Sequence, residues 1–261
     1  MPADPHFIRD FLRRVRVVLT RPTHPGNIGA AARAMQTMGL TRLVLVEPER
    51  YPHADATAMA SNSTEVLGAA LVCSTLDEAL AGTTVQVAFT ARGRSLSHEV
   101  MPVRESAVSL ATVGVGEIAL VFGNETYGLS NEEVLKCSRA AFIPTDEASR
   151  SLNLAAAVQV AGYALRVALL DAELAGGGDA ADLAARALGQ SSLAPHEDVE
   201  RFFGHLEQSL YRSGFLQEGN PRRLMERMRR LFGRSGLETE EINILRGMLA
   251  AWDGTGGRHG V

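Results

Sequence analysis

Short, uninterrupted aliphatic runs alternate with amphipathic stretches through residues 15 to 144. The runs are Val15–Thr20, Leu43–Glu47, Val85–Thr90, Ile118–Phe122 and Ala141–Pro144. None shows strict polar alternation, the pattern expected of parallel strands buried on both faces. The segments between them begin with helix-start signals. Thr75 to Glu78 and Ser130 to Glu133 both fit a capping box, in which hydroxyl and carboxylate satisfy orphan amides reciprocally. Strands alternating with helices predict an α/β fold, an open parallel sheet flanked by helices.

The pattern then changes. A long, small-residue helix is expected from Asn153 to about Ala175, and Gly176-Gly177-Gly178 breaks it. Residues 176–195 have little core-forming power and read as a linker. Beyond them the periodicity is purely helical. Val199, Phe202, Phe203, Leu206 and Leu210 share one face. Leu224, Met225, Met228, Leu231 and Phe232 share another, on a helix that Asn220-Pro221 starts and Gly233 ends. Ile242, Leu245, Met248, Leu249 and Trp252 form a third face. The expected division is an α/β domain over 1–175, a linker, a small all-helical domain over 196–252 and a disordered glycine-rich tail over 253–261.

Composition adds two constraints. With 261 residues, 46% hydrophobic, the chain can bury a full core in one or two domains. A net charge of −4 argues against a uniformly nucleic-acid-binding surface, so positive charge must be concentrated locally to attract phosphate. Lys136 is the only lysine, and arginine crowds two segments, Arg9–Arg21 and Arg222–Arg234. Arginine's planar fork suits bidentate phosphate contact. Cys73 and Cys137 are too few and too distant for a disulfide framework or zinc site; no metal is expected, and a cytoplasmic location is. No signal peptide is expected, since Val15–Thr20 is short and interrupted by Arg16. The longest apolar stretch, Leu154–Leu170, holds Gln159, Gly162 and Arg166, which suits a buried helix better than a membrane span.

Three separated stretches look like parts of one site: Gly26–Gly29 with Arg33, Phe122–Leu129, and Ser151–Leu154. Each follows a predicted strand and opens or precedes a helix, where α/β proteins gather ligands and glycine lets them approach the backbone. A dinucleotide-binding turn is the first alternative, with Glu47 as the ribose-binding acid. Its spacing fails: there is no G-x-G, His24-Pro25 occupies the tight turn, and Arg33 has no role.

The residues resemble the SPOUT superfamily of RNA methyltransferases, in its TrmH-like 2′-O-ribose branch. The likeness lies in RVVLT at 16–20, GNIGAAARAM at 26–35, TMGL at 37–40, FGNETYGL at 122–129 and SLNL at 151–154. Phe202-Phe203, Gly214–Leu216, Asn220–Met225 and Ile242–Gly247 are similar to the TrmJ family within that branch. The resemblance implies a fold with a C-terminal deep trefoil knot, S-adenosyl-L-methionine as cofactor, and a homodimer whose subunits complete each other's sites. It implies a tRNA partner, methylated at the 2′-hydroxyl of cytidine or uridine 32 in the anticodon loop. Another RNA site, or a non-catalytic RNA-binding relative, are the alternatives; intact Arg33, Glu125 and Ser151 argue against the second.

Carried over by the resemblance, Arg33, Asn27, Glu125, Ser151 and Asn153 are the catalytic candidates, and Thr90, Ala91, Gly123, Ile143, Ser151 and Leu152 the cofactor contacts. Arg92, Arg94, Arg222, Arg223, Arg229 and Arg230 are the RNA-binding candidates. Moving a methyl from a sulfonium to a hydroxyl is an in-line displacement that needs alignment and help with proton loss. In the family the residue at Arg33 is a proposed base; a guanidinium pKa above about 12 makes electrostatic orientation an equal role. Gly123 as a turn glycine and Asn153 as a helix cap stay open. Ala88-Phe89 and Asn124 depart from the family pattern.

Overall fold

All six residues of β1 (Val15–Thr20) are buried, as a continuous aliphatic run at the centre of a parallel sheet must be. The computed structural model describes residues 5–91, 100–148, 151–174, 193–217 and 223–255. The other strands are β2 (Arg42–Val46), β3 (Leu71–Cys73), β4 (Thr83–Phe89), β5 (Val100–Pro102), β6 (Glu117–Phe122) and β7 (Arg139–Phe142). They lie in the order β3-β2-β1-β6-β4-β7-β5, and every pairing is parallel. The open parallel sheet flanked by helices is therefore as expected.

The helices of this domain are α1 (Pro5–Arg13), α2 (Pro25–Met38), α3 (Ala54–Ala60), α4 (Thr64–Gly68), α5 (Leu76–Leu80), α6 (Val103–Ala111), α7 (Asn131–Leu135) and α8 (Leu154–Ala172). Strand alternation divides the core into two layers. Val15, Val17 and Leu19 meet Ile28 and Met35 of α2 and Val158 and Leu165 of α8. Val18 points the other way, into a cluster with Leu80 of α5 and Val134 of α7. Each fully buried aliphatic side chain contributes about 1.5–3 kcal/mol. Ser130 and Glu133 close a full capping box on α7. On α5 the box is shifted: Thr75 Oγ1 accepts from Glu78 N, but the Glu78 carboxylate accepts from Ser74 N rather than Thr75 N.

Two strands lie outside the predicted pattern. Strand β3 is a three-residue edge strand with Leu71 and Val72 largely exposed, and β5 is an equally short edge at the opposite side. Within the first basic segment Arg14 and Arg16 are held internally, while Arg9 and Arg13 are exposed. Arg14 donates to the carbonyls of Val113, Gly114 and Gly116 at 3.0–3.1 Å. Buried Arg16 reaches the carbonyls of Ala79 and Ala81 and the Glu117 carboxylate, which also takes both arms of Arg42.

Helices α9 (His196–Arg212), α10 (Leu224–Gly233) and α11 (Thr239–Thr255) build the C-terminal domain around Phe202, Phe203, Leu206, Leu210, Ile242 and Leu249. The predicted faces survive in part: Leu231, Met248 and Trp252 point outward, at 51%, 64% and 46% exposure. With few helices in the layer, each is covered on one narrow stripe only. Helix α11 runs on to Thr255, so Asp253 and Gly254, expected in the tail, are helical. Asp253 accepts from His205, Ser209 and Arg212 and clasps α11 to α9. Leu193 and Ala194 pair with Glu238 and Leu237, so the end of the expected linker belongs to this domain. Most of that linker, the Asn220-Pro221 helix start and the last six residues lie outside the described residues. The domain docks on the sheet through His196, hydrogen-bonded to Asp77 at 3.0 Å, and Glu197, which accepts from Gly82 N.

Candidate active site

The loop leaving β6 is shaped by two glycines. A Cβ on Gly123 would stand 2.2 Å from the Gly128 carbonyl carbon and the Leu129 nitrogen, and Gly128 itself has φ +68°. The chain can therefore double back on itself only with glycine at both places. Asn124 braces the turn. Its Oδ1 accepts from Thr126 N and Tyr127 N, its Nδ2 donates to the Arg21 carbonyl at 2.8 Å, and its own carbonyl accepts from Gly128 N. Arg21 adopts a left-handed backbone (φ 46°) and holds Glu133 with both arms of its guanidinium, at 2.6 and 2.9 Å.

This loop, the end of β4 and the segment entering α8 enclose a cavity of about 440 Å³ at the carboxyl ends of the strands. Thr90, Ala91, Gly123, Ile143, Ser151 and Leu152, the six expected cofactor contacts, all line it. Phe89 and Phe122 stack beside it with ring centroids 4.5 Å apart.

Glu125 forms one wall and joins the cavity to the start of α2. Its carboxylate accepts from Asn27 Nδ2 at 2.9 Å, Thr23 N at 2.9 Å, Thr23 Oγ1 at 3.0 Å and His24 N at 3.3 Å. Burial alone would raise its pKa, but the donors from Asn27, Thr23 and His24 outweigh burial and hold it below the usual carboxylate range. Glu125 therefore carries a negative charge at neutral pH. Asn153 completes the chain of contacts: Nδ2 donates to Asn27 Oδ1 at 2.9 Å, while Oδ1 caps α8 at Ala155 N and Ala156 N. The cap reading of Asn153 holds, and the same side chain also reaches Asn27.

Arg33 stands apart. It lies on α2, exposed, outside the lining of the cavity and without a hydrogen-bonding or ionic partner among the described residues. Gly29 serves packing rather than a ligand. A Cβ there would meet the Ala56 carbonyl oxygen at 1.9 Å, so α2 and α3 cross in contact only because position 29 is glycine. Helix α2 begins at Pro25, so Gly26 and Gly29 lie within it and form no phosphate-binding turn.

Of the arginines expected to meet RNA, Arg92, Arg94 and Arg222 lie outside the described residues. Arg223 is exposed at the start of α10 and Arg230 is half-buried on it. Arg229 is engaged internally, with both arms on Glu200 at 2.5 and 2.7 Å and its guanidinium 4.4 Å from the Phe203 ring centroid. Sequence reasoning missed Thr23 and His24, because backbone amides leave no mark in a residue pattern. It also missed the Arg21–Glu133 pair, whose members are 112 positions apart. Among the described residues no cluster of His, Cys, Asp and Glu could hold a metal.

Known proteins share this arrangement. Residues 14–163 match the SpoU rRNA Methylase family, and residues 197–259 match the C-terminal domain of the tRNA methyltransferase TrmJ. A curated relative from Pseudomonas aeruginosa, tRNA (cytidine/uridine/adenosine-2′-O-)-methyltransferase TrmJ, is 46% identical over 243 residues, covering 91% of this chain and 93% of its own. The crystal structure of TrmJ from Z. mobilis superposes with a TM-score of 0.78 at 30% identity, over 90% of this chain and 97% of the other. The SpoU methyltransferase AviRb from Streptomyces viridochromogenes, in complex with AdoMet, gives a TM-score of 0.50 at 25% identity, over 66% of this chain and 67% of its own. A family match spanning more than half the chain, and a relative this similar along nearly its full length, place the chain in the SpoU methylase family, in the TrmJ group.

Proposed function

We propose that this chain methylates a tRNA ribose at its 2′-hydroxyl, with S-adenosylmethionine as donor and nucleotide 32 of the anticodon loop, cytidine or uridine, as target. One observation carries the reading: the cavity lined by Thr90, Gly123, Ser151 and Leu152 shares the wall Glu125 with the Asn27–Asn153 network. Family membership and the AdoMet complex of AviRb support the choice of donor. The TrmJ-type C-terminal match supports tRNA over the ribosomal RNA in the family's name.

The residues fit the donor. Gly123 lets the 123–129 loop fold back so that its residues line the cavity, and apolar Ile143, Leu152 and Leu154 supply its dry side. When bound, the cofactor supplies an electrophilic methyl on a good leaving group. The protein's task is then alignment. Ionised Glu125 fixes Asn27, Asn27 fixes Asn153, and Ser151 presents its hydroxyl from the adjoining segment. Arg33 is the group that orients the reactive ribose and lowers the hydroxyl's pKa electrostatically. Its place outside the cavity favours a homodimer in which the Arg33 of a second copy completes the site. Exposed Tyr163, at 57% on α8, suits such an interface. The C-terminal trefoil knot and the cytoplasmic location belong to the same proposal.

Mass-spectrometric mapping of ribose methylation on RNA from cells with and without the gene tests the target. Methylation lost at tRNA nucleotide 32 is the expected result; loss elsewhere, or in ribosomal RNA, overturns the assignment. Arg33→Ala lowers turnover by roughly a hundredfold or more while leaving donor affinity unchanged. Normal turnover in that variant removes Arg33 from the mechanism.

A further inference from the structure

Tyr127 is 84% exposed, the most exposed of the large apolar and aromatic side chains among the described residues, yet it lines the donor cavity. No other ring and no guanidinium packs on it among the described residues. The fold gives it no task. Its backbone, by contrast, is held firmly. Tyr127 N donates to Asn124 Oδ1 at 3.2 Å, the Asn124–Gly128 bridge closes the turn, and Leu129 behind it is buried in the core. A flat ring is thus offered to solvent from a loop that needs no ordering on contact, which reduces the entropic cost of engaging a partner.

Position decides what that partner is. Glu125, two residues before Tyr127, ties the same loop to Asn27 and, through it, to Asn153, beside the cavity assigned to the donor. A ribose held against that cavity carries a base that must go somewhere, and Tyr127 offers an exposed ring in the cavity's lining. Single-stranded RNA is commonly bound by splaying bases out onto aromatic faces, a contact that accepts any base because every base has a π-face.

Resting on the methyltransferase reading, we propose that Tyr127 is a nucleobase subsite: the base of the target nucleotide stacks on its ring while the ribose faces the donor. The ring selects for an unpaired, extruded nucleotide rather than for a particular base.

The test uses the full-length protein, a tRNA transcript and the same transcript with 2-aminopurine at the target nucleotide. Wild type quenches the 2-aminopurine fluorescence on binding; Tyr127→Ala does not, and its KM for tRNA rises on the order of tenfold. Tyr127→Phe recovers both the quench and most of the lost affinity, since the ring and not the hydroxyl stacks. Calorimetry with S-adenosylmethionine alone gives the same affinity for wild type and Tyr127→Ala. Three results overturn the subsite: an unchanged KM and quench in Tyr127→Ala, a loss of donor affinity, which assigns the ring to the cofactor, or a changed mass by light scattering, which assigns it to a subunit interface. Wild type inactive on tRNA is a different failure, that of the underlying reading.

Discussion

Asn27 Nδ2 lies 2.9 Å from the Glu125 carboxylate, joining residues 98 positions apart at the point where two loops meet. The same carboxylate takes the amide and hydroxyl of Thr23, so its removal leaves these and Asn27 Nδ2, all half-buried, without that acceptor. Each such orphan costs about 1–3 kcal/mol. Glu125→Ala is expected to cut kcat/KM by roughly 10²-fold and to lower Tm, because the start of α2 and the β6 loop lose their common anchor. Steady-state kinetics with calorimetric melting decide it; wild-type kcat/KM would show that the network is dispensable.

Glycine at 29 and at 123 excludes a side chain for different reasons, and the two substitutions separate accordingly. Gly29→Ala drives a methyl into the Ala56 carbonyl at 1.9 Å, in the packing of α2 on α3. Overpacking of about 1–3 kcal/mol lowers Tm by roughly 2–12 °C in a chain of this size. Gly123→Ala instead pushes on the Gly128–Leu129 backbone, at the wall of the cavity. Its main effect is loss of S-adenosylmethionine binding by calorimetry, with a smaller change in Tm. Donor affinity preserved in Gly123→Ala would mean that the cavity is not the donor site.

The central strands were legible because burial on both faces leaves a mostly aliphatic run, and Val15–Thr20 emerges with the boundaries read from the sequence. Strand β3 was not, since an edge strand with Leu71 and Val72 in solvent is too short to show a period. Among site residues, those with chemically distinctive side chains, Asn27, Glu125 and Asn153, were visible. What each one touches was not, because tertiary acceptors leave no local trace. Arg14 and Arg16 illustrate the limit: in sequence they form a basic run, and in the fold they serve carbonyls and Glu117 far along the chain. Gly29 misled for the same reason, its close neighbour being a helix and not a ligand.

Acid should loosen the protein through a defined set of carboxylates. At Asp77, Glu117, Glu125 and Glu133 burial opposes ionisation, but partners outweigh it and lower the pKa: Lys136 and His196 on Asp77, Arg42 and Arg16 on Glu117, Asn27 on Glu125, Arg21 on Glu133. A carboxylate whose folded pKa lies below its unfolded value of about 4 stabilises fully above that value and ceases to do so as pH falls through the folded one. Tm is therefore expected to hold above about pH 5 and to fall below about pH 4. Glu117→Gln cannot ionise, so its stability deficit against wild type is largest at neutral pH and shrinks in acid. A deficit that stays constant from neutrality into acid would exclude ion pairing as Glu117's contribution.

Arg223, at the N-cap of α10, and Arg229 and Arg230, on the helix, should behave as two classes. Arg229 is committed to Glu200 and to the Phe203 ring, 20% exposed at its side chain, so its charge is neutralised within the helical domain. Arg229→Ala leaves a half-buried carboxylate unpaired and uncovers an aromatic face; Tm falls while the salt dependence of tRNA binding stays as in wild type. Arg223 and Arg230 have no carboxylate partner among the described residues. Converting both to glutamine leaves Tm unchanged and weakens tRNA binding. Each lost phosphate contact reduces the slope of log K against log salt by about 0.7 to 0.9. Binding measured across a salt series, beside melting curves for the same variants, distinguishes the classes. A steep slope that survives in Arg223→Gln/Arg230→Gln would move the RNA-binding face away from α10.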